Sequence, residues 1–478
     1  MTAPVVTIGG SKAFTPAIVS PLEYRLTAGG DEPTKFDPIE SWYPAFYIED
    51  LDPAKPTPFT LLDRDLVIWW DGIAQEWRAF DDRCPHRLAR LSEGRIAEDG
   101  LLECPYHGWA FTGAGTCDRI PQQLPDGKAE TSRRACVKSL PVAVEQGLLF
   151  IYPGTATRAA ETPVPLIPVP ITDGQPQDGW VMLNTFRDLP YDALTLMENV
   201  LDPSHLPFTH HNSVGKRSNA SPVELEVTSA DKSGFTGTWA DGPRKGTLGR
   251  QNTTFIAPCL MWHELKSKQL GETITVVYAT PTRKGECRVF ARFPFKFASK
   301  LPAFFISNTP QWYSHINNNA ILEDDQIFLH YQERYLANNG GSENFNQAFY
   351  LPTKADVFVF EYRQWLNSYQ ADPFLGQTFR PALATEQLLD RYHSHTEHCS
   401  SCRGAYQNIQ TAKQVIAVIA VLAWAVTMVF AVIGGETGLS NVLISTGIVL
   451  GGSVGWTICD RLQQKLERGE RTPARNRK

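Results

Sequence analysis

Two loops separated by seventeen residues limit the folding of this 478-residue chain more than any other feature. Between Asp82 and Trp109 the sequence reads DRCPHRLARLSEGRIAEDGLLECPYHGW, which puts Cys84 and His86 in one loop and Cys104 and His107 in the other. Each loop holds one thiol and one imidazole, and Pro85, Pro105 and Gly108 tighten the turns around them. The flanking segments suit a small β domain, because FTLLDRDLVIWWD and GLLFIYPG carry β-branched and aromatic residues between turn formers. Nine cysteines are too few for a secreted disulfide framework in a chain of this size, and their close pairs suit metal or redox chemistry in a reducing compartment.

A tetrahedral zinc site would use the same residue types, but one Cys and one His per loop suits a different arrangement. In a [2Fe-2S] centre with thiolates on one iron and imidazoles on the other, each loop gives one ligand to each iron. The tight turns leave backbone amides free to point at sulfide and lower the cost of its charge. Imidazole ligation raises the reduction potential above that of an all-thiolate cluster, which suits an acceptor of electrons from a ferredoxin-type donor. The stretch resembles the Rieske signature C-x-H-x(15 to 17)-C-x2-H with all four positions filled. More narrowly, CPHRLARLSEGRI, CPYHGWAF and the following IPQ resemble the family of pheophorbide a oxygenase and chlorophyllide a oxygenase. The resemblance runs from about Trp42 to the C-terminal hairpin. It implies a Rieske non-haem iron oxygenase with a [2Fe-2S] cluster and a mononuclear Fe(II), acting with O2 on a chlorophyll-type tetrapyrrole such as pheophorbide a. It further implies a homotrimer in which the cluster of one subunit serves the iron of the next.

A second constellation lies in MENVLDPSHLPFTHH, with Asp202, His205, His210 and His211. Two histidines and a carboxylate on one face of an iron, with other positions open, form the arrangement that activates dioxygen. In a regular helix His205 and His210 would stand about 140° apart, so the helix must be broken, and Pro203 and Pro207 supply the break. Helix geometry alone does not choose between His210 and His211. The resemblance does, through the pattern D-x2-H-x4-H: His205 and His210 become iron ligands, and Asp202 the residue that links the iron to a cluster histidine and carries the electron. Glu198 and Asn199, a turn earlier, are candidate partners of the ligands. The third ligand comes from NNNAILEDDQIFLHYQER, which offers Glu323, Asp324 and Asp325; the resemblance places it on Asp325, with Asp324 the close competitor.

HSHTEHCSSCRG brings Cys399 and Cys402 close behind His393, His395 and His398. A thioredoxin-like setting is absent, which leaves a redox-sensitive thiol pair or a small metal site that uses a histidine. The resemblance favours regulatory thiols, since the family carries C-x2-C just before its membrane anchor. Cys117, Cys136, Cys259, Cys287 and Cys459 read as buried small apolar residues, and His263, His315 and His330, without companions at ligand spacing, as core or pocket residues.

VIAVIAVLAWAVTMVFAVI, from Val415 to Ile433, and the uncharged stretch from Leu439 to Cys459 are each long enough to cross a bilayer, with GGETG as a tight turn between them. Lys413 precedes the pair and a run of Lys and Arg from Arg461 to Lys478 follows it, so both flanks belong on the cytosolic or stromal side. The N-terminal lead lacks the features of a signal or transit peptide, which points to a photosynthetic bacterial membrane rather than an imported thylakoid protein. Net charge is -6, so no nucleic-acid role is expected. The expected fold is α+β in five parts: a lead over 1–41, a β-rich Rieske domain over 42–155, a catalytic domain of antiparallel sheet and helices over 156–395, a Cys-x2-Cys segment over 396–412, and a transmembrane hairpin with basic tail over 413–478. ETPVPLIPVPITDGQP, Glu161 to Pro176, reads as an extended linker, and helices are expected near 192–200 and 354–369.

Overall fold

The computed structural model describes residues 35–268, 271–433 and 436–477, so most of the N-terminal lead and the first two residues of the GGETG turn lie outside the described residues. The chain forms two compact units. One runs as far as Gln177 and takes in Ile256–Pro258 and Ser368–Pro373; the other consists of Asp178–Phe255, Cys259–Asn367 and Phe374–Lys478.

The first unit is β-rich. Strand Arg64–Asp71 pairs antiparallel with Thr57–Leu61 on one side and Glu76–Asp81 on the other. Its run Leu66, Val67, Ile68 and Trp69 is fully buried, which accounts for a continuous apolar stretch where a half-exposed strand would alternate. A second ladder joins Arg95–Ile96, Leu102–Glu103, Ala110–Phe111 and Cys117–Arg119. One ligand loop follows Glu76–Asp81; the other joins the second and third strands of the small ladder. Val67, Trp69, Phe80, Leu91, Leu102 and Phe111 pack into one core that includes Cys84 and Cys104 themselves. Each large apolar side chain buried there contributes about 1.5–3 kcal/mol, and both thiols are anchored in that core. The proline-rich stretch is extended but not loose: Val164, Ile167 and Val169 are buried, and the Gln146 side chain bonds the backbone of Ile167 and Val169.

The second unit is built on a seven-stranded sheet whose spatial order is Val181–Leu189, Glu286–Lys296, Gly271–Arg283, Leu260–Ser267, Gln251–Ile256, Gly234–Trp239 and Leu225–Asp231. Helix Ala193–Leu201 follows the edge strand, and Val357–Ser368 lies where apolar spacing places a helix. The largest helix of this unit outside the C-terminal hairpin, Gln311–Asn338, has no apolar stripe to announce it. Its buried face is polar, made by His315, Asn319, Glu323, Gln326, His330 and Glu333 at spacings of three and four.

Two long helices close the chain, Ser400–Ile433 and Glu436–Glu467. Both are long and apolar enough to cross a membrane, and few of their residues are buried. Val418, Leu422, Val429, Leu443, Ile444 and Leu450 are all more than half exposed. The pair is therefore not buried in a core of this chain. The two helices are tied near their polar ends by Lys413, which bonds Asp460 at 2.6 Å and Gln463 at 3.0 Å.

Candidate metal centres

The two loops of the first unit are built alike. The amide of Cys84 donates to the carbonyl of Ala89 and that of Leu88 to Cys84; likewise Cys104 donates to Trp109 and Gly108 to Cys104. Each loop turns through a left-handed residue at the same place, Leu88 with φ 61° and Gly108 with φ 69°. At Gly108 a Cβ would stand 3.2 Å from the Pro121 ring, so glycine also answers a close approach there. Amides of His86 and Arg87 point at the Cys84 sulfur, and those of Tyr106 and His107 at the Cys104 sulfur. The hydrogen bond between the thiols pulls Cys104 down to about 6 and pushes Cys84 up. One thiolate thus sits in a nest of amides, ready for a metal.

The cysteines are buried while His86 is exposed and His107 partly so; their ring centroids are 4.6 Å apart, and His86 stacks on Trp109 at 4.5 Å. Sulfur inside and imidazole at the tip is the polarity a cluster with one buried and one outward iron requires. Elsewhere among the described residues, two other groups bring their ligand atoms to within 4.8 Å of one another. Buried Asp82 braces the first loop, accepting from the amide and hydroxyl of Ser92 at 2.7 and 2.6 Å and from Arg90 at 3.0 Å.

In the second unit His205, His210 and Asp325 each bring a ligand atom to within 4.8 Å of the others. His210 Nε2 is 3.2 Å from Asp325 Oδ2, and His205 Nε2 is 4.0 Å from Asp325 Oδ1. The break expected between the histidines lies elsewhere. Helix Ala193–Leu201 stops at Asp202, and a single helical turn, Leu206–Thr209, joins the two histidines with Pro207 in its first positions, where a missing N–H costs nothing. The backbone leaves the helix at His210 itself, with φ −100° and ψ 23°, and this departure lets the two rings converge at 5.2 Å.

The three acids divide their work. Glu323 faces away into ion pairs with Arg187 and Arg391. Asp324 accepts from Ser213 at 3.2 Å and lies 3.4 Å from His210 Nδ1, so it holds the far side of that ring, while Asp325 faces the two Nε2 atoms. Burial works against charge on His210, yet hydrogen bonds to Asp324 and Asp325 outweigh it and lift the imidazole to about 9. The site therefore favours a cation at its centre. His205 Nδ1 lies 2.5 Å from the Asp202 carbonyl, which directs its Nε2 inward. Asn199 reaches Asp325 at 3.3 Å, but Glu198 does not take part, being buried against Arg363 and Gln332. His211 turns outward and accepts from the Arg217 amide at 3.3 Å. The Asp202 carboxylate accepts from the amide and hydroxyl of Ser204 and remains partly exposed.

Sequence reasoning did not find Arg475, on the basic tail beyond the hairpin. Its guanidinium donates to the carbonyl of Asp324 at 2.7 Å and of Thr209 at 3.3 Å, and lies 3.8 Å from the Asp324 carboxylate. No motif marks it, because it acts on the backbone of two ligand-bearing segments. Arg475→Ala is expected to weaken iron retention by roughly 10- to 100-fold, read as the chelator concentration that strips iron from the second unit while the cluster spectrum is unchanged.

A model of the Rieske [2Fe-2S] domain matches residues 41–141, and a model of pheophorbide a oxygenase matches residues 255–343. Pheophorbide a oxygenase from Oryza sativa subsp. japonica is 40% identical over 418 residues, covering 81% of this chain and 77% of the relative. The chain belongs to the pheophorbide a oxygenase family of Rieske non-haem iron oxygenases. Its cofactors are accordingly a Rieske cluster and a mononuclear iron, and the donor sets above fit both. Another relative, the protochlorophyllide-dependent translocon component 52 of Arabidopsis thaliana, is 32% identical over 85% of this chain and 82% of its own length. Both relatives are named as chloroplastic. Among solved structures, dicamba monooxygenase shares the fold, with a TM-score of 0.54 at 21% identity over 70% of this chain and 98% of that one.

A cavity of about 810 Å³ opens beside the histidine turn, lined by Pro203, Ser204, Leu206, Pro207 and Phe208 and also by Trp239 and Leu248. The wall is largely apolar; its charged members are Lys216, Arg244 and the ion pair of Glu224 with Lys354 at 2.8 Å. It is within the range of sites that bury most of a large organic ligand.

Proposed function

We propose that this chain is a membrane-anchored oxygenase that oxidises a chlorophyll-derived tetrapyrrole such as pheophorbide a, with O2 and electrons from a ferredoxin-type donor. The reading rests above all on the convergence of His205, His210 and Asp325 beside the 810 Å³ cavity, since a simple electron carrier has no use for a second, open metal centre. His205, His210 and Asp325 would hold an iron there, and that iron would supply the O2 chemistry. The chain's own residues do the rest. Asp325 and the two imidazoles are the ligands; Asp324 and the Asp202 carbonyl fix the ring orientations; the apolar wall takes a flat macrocycle and excludes water; Lys216 and Arg244 meet an acidic substituent.

The apolar hairpin anchors the enzyme where such a greasy substrate lives, in a thylakoid or photosynthetic bacterial membrane, with Lys413 and the basic tail on the cytosolic or stromal side. In a homotrimer, Asp202 would be the residue that links the iron held by His205, His210 and Asp325 to a neighbouring subunit's cluster. Asp202→Asn should retain all three irons yet slow reoxidation of the reduced cluster by roughly 10- to 100-fold; unchanged single-turnover rates would remove Asp202 from the route. The test of the whole reading is turnover of pheophorbide a by the full chain in detergent with reduced ferredoxin and 18O2. Label in a product oxidised on the macrocycle supports it. Cluster reoxidation with no labelled product from pheophorbide a or chlorophyllide a argues for a carrier or another substrate.

A further inference from the structure

His315, left by its spacing as a core residue, is not isolated. Helix Gln311–Asn338 carries it into a group with His395, Cys399 and Cys402, whose ligand atoms all lie within 4.8 Å of one another and none of which is more than 2% exposed. His395, Cys399 and Cys402 stand at i, i+4 and i+7, so they share a face as the chain passes from the π-helical turn Tyr392–Thr396 into the first apolar helix. His315 completes the set from a distant element.

Four of the six separations lie close to those of a tetrahedral shell. His315 Nδ1 is 3.1 Å from His395 Nε2, 3.5 Å from Cys399 Sγ and 3.4 Å from Cys402 Sγ, and His395 Nε2 is 3.3 Å from Cys402 Sγ. Metal bonds of about 2.3 Å to sulfur and 2.0 Å to nitrogen place neighbouring ligand atoms roughly 3.3–3.8 Å apart. The rings meet nearly edge to face, at 74°.

The hydrogen bonds on the far side of each ring make the case stronger. His315 Nε2 is 2.8 Å from the carbonyl of Asn184, and His395 Nδ1 is 2.7 Å from that of Phe186. A carbonyl only accepts, so both outer nitrogens carry the proton of the neutral imidazole, and the two inner nitrogens present lone pairs to each other. Metal-bound histidines commonly donate their outer N–H to a carbonyl in this way, which fixes the ring and its tautomer. A divalent ion between them turns the facing lone pairs into bonds, and two thiolates cancel its charge, which a buried position requires. A Cys399–Cys402 disulfide would leave the lone pairs opposed.

We propose that His315, His395, Cys399 and Cys402 bind a structural zinc ion. Two sulfurs and two nitrogens in a closed tetrahedral set suit zinc, and no position stays open for catalysis. The ion would clamp three elements: strand Val181–Leu189 through the two carbonyls, the root of the apolar hairpin through the cysteines, and the helix that bears Asp325 ten residues beyond His315. It fixes the root of the hairpin to the iron-bearing helix.

The test is metal analysis of the full chain, purified anaerobically in detergent without chelators, with zinc X-ray absorption on the same sample. The expected result is one zinc per chain beside the iron, with two sulfur and two nitrogen neighbours. Cys402→Ser should drop zinc to near zero while the Rieske signal persists. His393→Ala should keep zinc, because His393 is exposed and paired with Asp390. The wild-type measurements stand even if the cysteine variant fails to fold. Zinc well below one per chain, a zinc shell without sulfur, a Cys399–Cys402 disulfide in the anaerobic protein, or loss of zinc from His393→Ala would each overturn the proposal.

Discussion

Asp325→Ala is expected to leave a chain with the two cluster irons, an undiminished Rieske signal and no oxygenation at all. The carboxylate faces both inward Nε2 atoms, at 3.2 and 4.0 Å, and two imidazoles alone hold ferrous iron poorly. The neighbouring acid gives the contrast. Asp324 touches His210 from the outer side, so Asp324→Ala should loosen iron by only roughly 10- to 100-fold. Iron counted by mass spectrometry in the two variants decides between them: loss from Asp324→Ala with retention in Asp325→Ala would exchange their roles.

Glu323→Ala should act on stability. Glu323 is buried between two buried guanidiniums, Arg187 at 2.7 Å and Arg391 at 2.6 and 2.7 Å, and Arg187 also reaches Asn319 and Ser394. Removing the acid leaves both cations uncompensated, which costs about 3–5 kcal/mol, or on the order of 10 °C in the unfolding midpoint of a unit of this size. Burial alone would raise the Glu323 carboxyl, but the two arginines hold it below the ordinary value. Its contribution is therefore complete above the unfolded value of about 4.3 and is lost as pH falls through the lower folded value. The wild type should accordingly lose more of its midpoint on acidification than Glu323→Gln, and a thermal melt series over pH reads the difference. Equal pH slopes would mean that the triad is not ionised as described.

The Rieske loops were legible because their chemistry is local: thiol, imidazole and turn residues all fall within a few positions, and the structure repeats the same backbone bonds in both loops. The histidine pair was legible as a pair, but its geometry was not. The argument from Pro207 expected a break between the ligands, whereas the chain departs from helix at His210. Helix Gln311–Asn338 escaped notice because apolar periodicity is the usual signal and its buried stripe is polar, from His315 through Glu323 to Glu333. With that helix unseen, the partition of Glu323, Asp324 and Asp325 could not be derived, and His315 could not be joined to His395, eighty residues further on. Arg475 was hidden for a related reason, as it binds main-chain carbonyls that carry no sequence mark.

The central claim is that one chain carries both a cluster and a separate iron on His205, His210 and Asp325. Mössbauer spectroscopy of the full chain enriched in 57Fe tests it most directly. The account predicts the cluster pair plus a third, high-spin ferrous component with half the area of the pair, absent from Asp325→Ala. A wild-type spectrum made up of the cluster pair alone would contradict it.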